Sequence, residues 1–200
     1  MVPPWTLVVP VRHPAHGKSR LRADPELAEA IARDTLEAVA RCRRIDHVVL
    51  VTDDPAWTAG LCAEVVVQTS PGLMSAVADG LAACPDGPTA IMLGDLPALR
   101  PADLDEALWH AERLPRGVVA DRWGTGTTLL TALSRRDHRP AFGAGSAQRH
   151  RDAGYRDIPI GDASSLRCDV DTPADLAHAA GLLMGPRTRA VLQRQSLVAQ

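Results

Sequence analysis

Two hundred residues, 46% of them apolar, suffice for one domain with a buried core. A net charge of −2 gives no sign of a general affinity for nucleic acid or for an anionic membrane surface, and no apolar run approaches the length of a membrane span. The four cysteines (Cys42, Cys62, Cys84 and Cys168) are scattered without paired spacing, which indicates neither a zinc site nor a disulfide framework.

The chain enters a strand over residues 6–11 directly after Met1-Val2-Pro3-Pro4-Trp5, with no signal-peptide layout, so a cytosolic setting is expected. A polar loop, residues 12–20, carries Pro14, Gly17 and the cations Arg12, Lys18 and Arg20. Asp24-Pro25 then starts a helix, with Asp as cap and Pro in the first turn. Leu27, Ile31, Leu36 and Val39 give it a buried stripe running to about residue 44. Strand two is expected over 47–52, a second Asp-Pro helix start at Asp54-Pro55, strand three over 64–68 and a helix over 73–83. Cys42, Cys62 and Cys84 fall in helical or apolar segments and are expected to be small core residues.

Residues 89–93 form a short apolar run closed by Gly94-Asp95-Leu96-Pro97, the pattern of a buried parallel strand. The order β-α-β-α-β-α-β implies a parallel sheet with right-handed crossovers and helices on both faces. A helix over 101–114 follows. Residues 117–121 and 127–132 are β runs joined by a short Gly-rich link, which predicts an antiparallel hairpin and a mixed, mainly parallel sheet. A polar helix over 146–153, a strand over 155–160 and a capped helix after Thr172-Pro173 complete a single α/β domain. Its core is expected over about 6–184, with a tail over 185–200 that is helical at most and frayed.

Three constellations carry chemistry. Asp95 leaves a core strand at the carboxyl edge of the sheet, where open α/β sheets bind ligands, and a charge there is costly without a metal or a partner. The alternative is an aspartate that caps the next helix. Asp169 and Asp171 lie two apart before the last capped helix, so in extended backbone both can face one ion. Hard oxygen ligands suit magnesium, with manganese as the alternative, and phosphate oxygens complete the shell. Asp171 adjoins the Thr172-Pro173 helix start and can serve that cap instead. The basic loop, with its backbone amides and the start of the first helix, offers a polyphosphate cradle. It has neither the Walker nor the Rossmann glycines, and a solvated loop is the plain alternative. Gly143-Ala144-Gly145-Ser146 can form a second anion site, with Gly124-Thr125-Gly126-Thr127-Thr128 as a further wall; each can also be an ordinary turn. His13 and His16 flank the basic loop without a metal-ligand pattern.

Of 22 basic residues only Lys18 is a lysine. In a chain that otherwise uses arginine, the compact ammonium marks Lys18 as a candidate for reaching a phosphate. Two anion sites, metal-suited carboxylates and no legible nucleophile or base point to phosphoryl or nucleotidyl transfer, which relies on positioning and charge neutralisation.

The stretches from Val9 to Leu21, Gly94-Asp95-Leu96-Pro97, Gly124 to Thr128, Phe142 to Ser146 and Asp169 to Thr172 resemble the guanylyltransferases of coenzyme F-420 biosynthesis. That family transfers GMP from GTP to phosphoenolpyruvate or 2-phospho-L-lactate and releases pyrophosphate. The resemblance spans about residues 6–180 and implies a GT-A-like, Rossmann-like nucleotidyltransferase fold. It implies that Asp95 and Asp169, with Asp171 beside them, hold magnesium and that Lys18 and Asp95 are catalytic. Arg12, Lys18, Ser19, Arg20 and Gly72 would face the nucleotide, while Thr128, Gly143 and Ser146 would hold the acid. Arg12 stands where the family usually has Lys, and Gly72-Leu73-Met74 where Gly-Leu-Asn is usual. The expected partners are GTP and a small phosphorylated carboxylic acid, in a monomer or homodimer. The alternatives are a molybdopterin or sugar-phosphate nucleotidyltransferase, which would open with a Leu-Ala-Gly-Gly stretch absent here, or a non-catalytic nucleotide-binding domain.

Overall fold

The computed structural model describes residues 4–12 and 24–198. Seven strands form one sheet: β1 (Trp5–Pro10), β2 (Ile45–Thr52), β3 (Glu64–Val67), β4 (Thr89–Met92), β5 (Arg116–Ala120), β6 (Thr127–Ala132) and β7 (Arg156–Asp157). Six helices accompany them: α1 (Pro25–Val39), α2 (Leu73–Ala83), α3 (Pro101–Ala111), α4 (Ser146–Asp152), α5 (Pro173–Gly181) and α6 (Pro186–Val198). The spatial order is β3-β2-β1-β4-β6-β5-β7. β6 pairs antiparallel with both β4 and β5, and every other pairing is parallel, so one reversed strand makes the sheet mixed.

Burial on both faces explains the continuous apolar runs. In β1, Leu7 and Val9 pack with Leu36 of α1 and Leu104 and Leu108 of α3. Val8 faces the other way, into a cluster with Ala76 and Val77 of α2 and with Tyr155. The chain runs outward from β1 to β3, then returns across β1 to β4. The two directions part between β1 and β4, which opens a crevice at their carboxyl ends. Val11–Arg12 leave one lip of that crevice and Gly94–Asp95 the other.

Several boundaries depart from expectation. Asp54-Pro55 starts only a short 3-10 turn, Pro55–Thr58, because Gly60 follows in the left-handed region (φ 79°). α1 ends at Val39 and α3 at Ala111, each before the expected limit. The strand expected over 155–160 pairs only at Arg156–Asp157, although Tyr155, Ile158 and Ile160 are buried. Cys62 is exposed, which corrects its assignment to the core; Cys42, Cys84 and Cys168 are buried.

The largest correction concerns the tail, which is ordered helix packed on α1. Asp34 of α1 is buried, and its carboxylate accepts the amides of Arg187 (3.2 Å) and Thr188 (2.7 Å) at the start of α6. A helix N-terminus is thus capped from another helix, an arrangement that no local spacing reveals. A Cβ on Gly185 would lie 2.3 Å from the Asp34 carboxyl carbon, so this close approach requires glycine. The Gly185 amide also donates to the Pro97 carbonyl (2.8 Å), which ties α6 to the Asp95 loop. Asp34→Ala is expected to lower stability by roughly 1–3 kcal/mol through two orphaned amides, and Asp34→Asn by less. Urea denaturation of the three proteins measures this; equal midpoints would remove the cap's assigned role.

Candidate active site

β4 ends at Met92, and the Leu93 amide then donates to the Thr128 carbonyl (3.2 Å). Gly94 follows, packed against the end of β1: a Cβ built on it would stand 2.4 Å from Val11 Cγ2. Glycine there lets the two lips of the crevice meet. Gly94→Ala must push Val11, and with it the root of the basic loop, out of place. The expected cost is about 1–3 kcal/mol of stability together with lost activity. Val11→Ala in the same chain should recover much of both, as read by thermal melting and turnover; no recovery would show that the contact with Val11 is not the cause.

Asp95 comes next. The Leu96 amide donates to Thr35 Oγ1 (3.1 Å), whose own hydroxyl donates to the Ile31 carbonyl (2.8 Å), so α1 fixes the loop from beneath. Asp95 Oδ1 is fully buried and has no hydrogen-bond partner among the described residues. Nor does Asp95 cap a helix: α3 begins at Pro101, with Arg100 at its N-cap. The capping alternative is therefore removed.

The second acidic segment reaches Asp95 through the backbone. The Val170 amide donates to the Asp95 carbonyl (3.0 Å), while the Val170 side chain is buried among Leu27, Ile31, Cys168 and Ala179. Asp169 and Asp171 flank Val170, and both carboxylates lie close enough to act on that of Asp95. Asp169 is half-buried and Asp171 exposed. The α5 cap is formed by Thr172 and Asp175 in a reciprocal capping box, so Asp171 is not consumed by it.

Burial, then the neighbouring Asp169 and Asp171, push the Asp95 carboxyl up to about 8. Burial, then Asp121 and Asp171, push Asp169 up to about 7. Carboxylates that repel one another in a partly dry crevice call for a cation. Among the described residues no three His, Cys, Asp or Glu side chains form a ready ligand set, so the expected trio of Asp95, Asp169 and Asp171 is not preassembled. The orphaned Asp95 oxygen and the hard donors nevertheless fit a divalent ion whose shell is completed by phosphate oxygens.

Asp121 is a site residue that the sequence reading missed. It is buried at the tip of the β5–β6 hairpin, where Oδ1 accepts the Thr125 amide (2.9 Å) and Oδ2 the Gly126 amide (2.8 Å). A Cβ on Gly126 would lie 2.5 Å from Asp121 Oδ2, and Gly124 adopts φ 73°. An Asp opening a Gly-rich turn was the available signal. Behind the hairpin, Arg122 pairs with Asp175 (2.6 Å), which anchors it to the α5 cap.

The hairpin brings the remaining candidates together. The Ala147 amide donates to the Thr125 carbonyl (3.1 Å), which seats the start of α4 on the hairpin tip. Gly143 (φ 118°) and Gly145 (φ 71°) lie at the surface of the loop before α4, and Arg149 clamps that loop through the carbonyls of Ala141 and Ala144. Ser146 is 2% exposed, with Oγ 3.1 Å from Thr127 Oγ1. Thr128 is fully buried, and its hydroxyl makes only a long contact (3.5 Å) with the Val119 carbonyl. It is therefore Thr127, not Thr128, that bonds Ser146. Gly72 (φ 111°) caps α2 after β3, at the same carboxyl edge but three strands from β4, roughly 14 Å away. Arg12 is exposed at the end of β1. Lys18, Ser19, Arg20, His13 and His16 lie outside the described residues.

The carboxyl edge of the sheet thus has acidic groups at its centre, a glycine loop on the β3 side and a second on the β6 side. The MobA-like NTP transferase domain matches residues 26–158. The chain is 43% identical to the phosphoenolpyruvate guanylyltransferase of Streptomyces coelicolor, over 98% of this chain and 99% of that one. The chain belongs to the phosphoenolpyruvate guanylyltransferase family. The protein of this name from Salinispora arenicola is 46% identical over 92% of this chain and 91% of its own. A Mycobacterium tuberculosis protein crystallised with manganese shares the fold, with a TM-score of 0.61 at 18% identity over 90% of this chain and 98% of that one. The chain is a nucleotidyltransferase, and its mostly parallel sheet with helices on both faces is the GT-A-like fold. No helix among the described residues is long and apolar enough to cross a membrane.

Proposed function

We propose that this guanylyltransferase joins GMP from GTP to the phosphate of phosphoenolpyruvate, releasing pyrophosphate, in coenzyme F-420 biosynthesis. A phosphate oxygen of the acid attacks the α-phosphorus of GTP; the bond from that phosphorus to the bridging oxygen breaks, and pyrophosphate carries off the electron pair. The single observation behind the reading is the buried, unpartnered Oδ1 of Asp95, joined to the Asp169–Asp171 segment through the Val170 amide at the crevice. The names of the relatives favour phosphoenolpyruvate over 2-phospho-L-lactate.

Asp95 and Asp169 hold a divalent ion, magnesium by preference, with Asp171 close by. When bound, such an ion neutralises triphosphate charge and polarises the α-phosphate. Lys18, with Arg12, Ser19 and Arg20, meets the phosphates and offsets charge growing on the leaving pyrophosphate. Gly72, on the far side of the sheet edge, borders the nucleotide. Gly143, Ser146 and the β6 entry at Thr128 border the acid and turn its phosphate toward Asp95. A phosphate monoester has a second pKa of about 6, so the acid's phosphate attacks as an anion without a strong base.

The test is an assay with magnesium, GTP or ATP, and either acid, with mass detection of the diphosphodiester. Product from GTP and phosphoenolpyruvate is expected. Product only from ATP, or none with either acid, would overturn the assignment.

A further inference from the structure

The loop before α4 spends its carbonyls and keeps its amides. The Gly143 carbonyl accepts from the Ser146 amide (3.0 Å) and the Gly145 carbonyl from the Arg149 amide (3.4 Å). The Ala141 carbonyl takes two donors of the Arg149 guanidinium, Nε (3.1 Å) and Nη2 (2.9 Å), and the Ala144 carbonyl takes Nη1. The amides of Gly143, Ala144 and Gly145 donate to no group among the described residues, and all three residues are exposed. Ser146 does not alter this balance, because its hydroxyl donates inward to Thr127 Oγ1 (3.1 Å). An exposed run of N–H groups with the neighbouring carbonyls withdrawn suits an anion.

Arg149 makes that imbalance. Its guanidinium lies across the loop: a Cβ on Gly143 would stand 3.5 Å from Nη2, and one on Gly145 3.7 Å from Nη1. Its acceptors are carbonyls, so no acidic side chain among the described residues cancels its charge. Buried His150, the next residue of α4, grips Ala141 from the other side, its Nε2 accepting the Ala141 amide (2.8 Å).

We propose that Arg149 is a positioning residue for the phosphorylated acid: it draws the Ala141 and Ala144 carbonyls onto its guanidinium, so that the amides of Gly143, Ala144 and Gly145 meet the acid. This rests on the reading above that the loop borders the acid. Carbonyl oxygens turned toward an anion would repel it, and the uncancelled guanidinium charge adds attraction at the same place. A lysine at this position keeps the charge but not the planar fork that spans two carbonyls.

Steady-state kinetics with GTP and phosphoenolpyruvate test this in the wild type, Arg149→Met and Arg149→Lys. Arg149→Met should raise KM for phosphoenolpyruvate roughly tenfold or more while KM for GTP holds. Arg149→Lys should recover at most part of that loss. A normal KM for phosphoenolpyruvate in Arg149→Met would overturn the proposal. A rise shared equally by both substrates would do the same, since it marks a merely structural role. Full recovery in Arg149→Lys would show that charge alone suffices and would overturn the clamp. The wild type tests the underlying reading without any variant. With magnesium and a slowly hydrolysed GTP analogue already bound, added phosphoenolpyruvate should move the amide NMR signals of Gly143, Ala144 and Gly145. Signals that stay in place would remove the loop from the acid site, and Arg149 with it. Signals that move beside a normal KM in Arg149→Met would remove Arg149 alone.

Discussion

Asp95→Asn is expected to lower kcat by at least about a thousandfold while leaving the fold intact, because the amide keeps the shape but loses the charge that holds an ion. The metal-free protein should behave in the opposite sense. Burial and the neighbouring carboxylates push Asp95 up to about 8 and Asp169 up to about 7, from an ordinary value of 3.8. Between pH 4 and about 6.5 the protons these two carboxyls retain on folding are offset by those the buried His138 and His150, held down to about 4 chiefly by burial, give up; from about pH 6.5 to 8 the folded state binds more protons than the unfolded chain, and the slope of stability with pH is negative. Stability of the metal-free wild type should change little from pH 5 to 6.5, fall from there to about pH 8 and level off above it. Asp95→Asn has no proton to release at that position, so its decline should be shallower. Urea denaturation in the presence of a chelator at pH 5, 6.5 and 8 measures both proteins; parallel declines would show that Asp95 is not strained when ionised.

Lys18→Ala is expected to lower kcat/KM for GTP about a hundredfold to a thousandfold, the usual loss when one donor to a developing oxyanion is removed. Lys18→Arg should recover only part of that, since a planar fork cannot occupy the place of a compact ammonium. Composition singles out this position, the one lysine among 22 basic residues. Full activity in Lys18→Arg would reduce Lys18 to one cation among several. Thermal melting of both variants separates lost chemistry from lost fold.

The parts of the molecule legible in sequence were those set by local rules. Asp24-Pro25 and Thr172-Pro173 carry their helix starts in adjacent residues, and β1 and β4 read as strands because both faces are buried. Gly94-Asp95 could be placed at the crevice because a parallel strand delivers its next side chain there. What escaped depends on contacts between distant segments. The cap on α6 comes from Asp34, far back in α1, so Pro186 and the residues after it looked frayed. Asp121 gains its influence on Asp169 only when the hairpin and the segment before α5 meet. Thr128 and Thr127 are neighbours in the motif, and because adjacent strand residues point to opposite faces only one of them reaches Ser146. The family resemblance supplied roles for Thr128, Gly143 and Ser146 that spacing alone left as turns. The hydrogen bonds add Arg149, whose hold on the Ala141 and Ala144 carbonyls no spacing announces.

The most direct measurement is anomalous scattering from crystals grown with manganese, a slowly hydrolysed GTP analogue and phosphoenolpyruvate. The expected result is a peak about 2.0–2.3 Å from carboxylate oxygens of both Asp95 and Asp169, with nucleotide phosphate oxygens in the same shell. A peak elsewhere, or both ligands bound with Asp95 turned inward and no ion beside Asp169, would contradict the account.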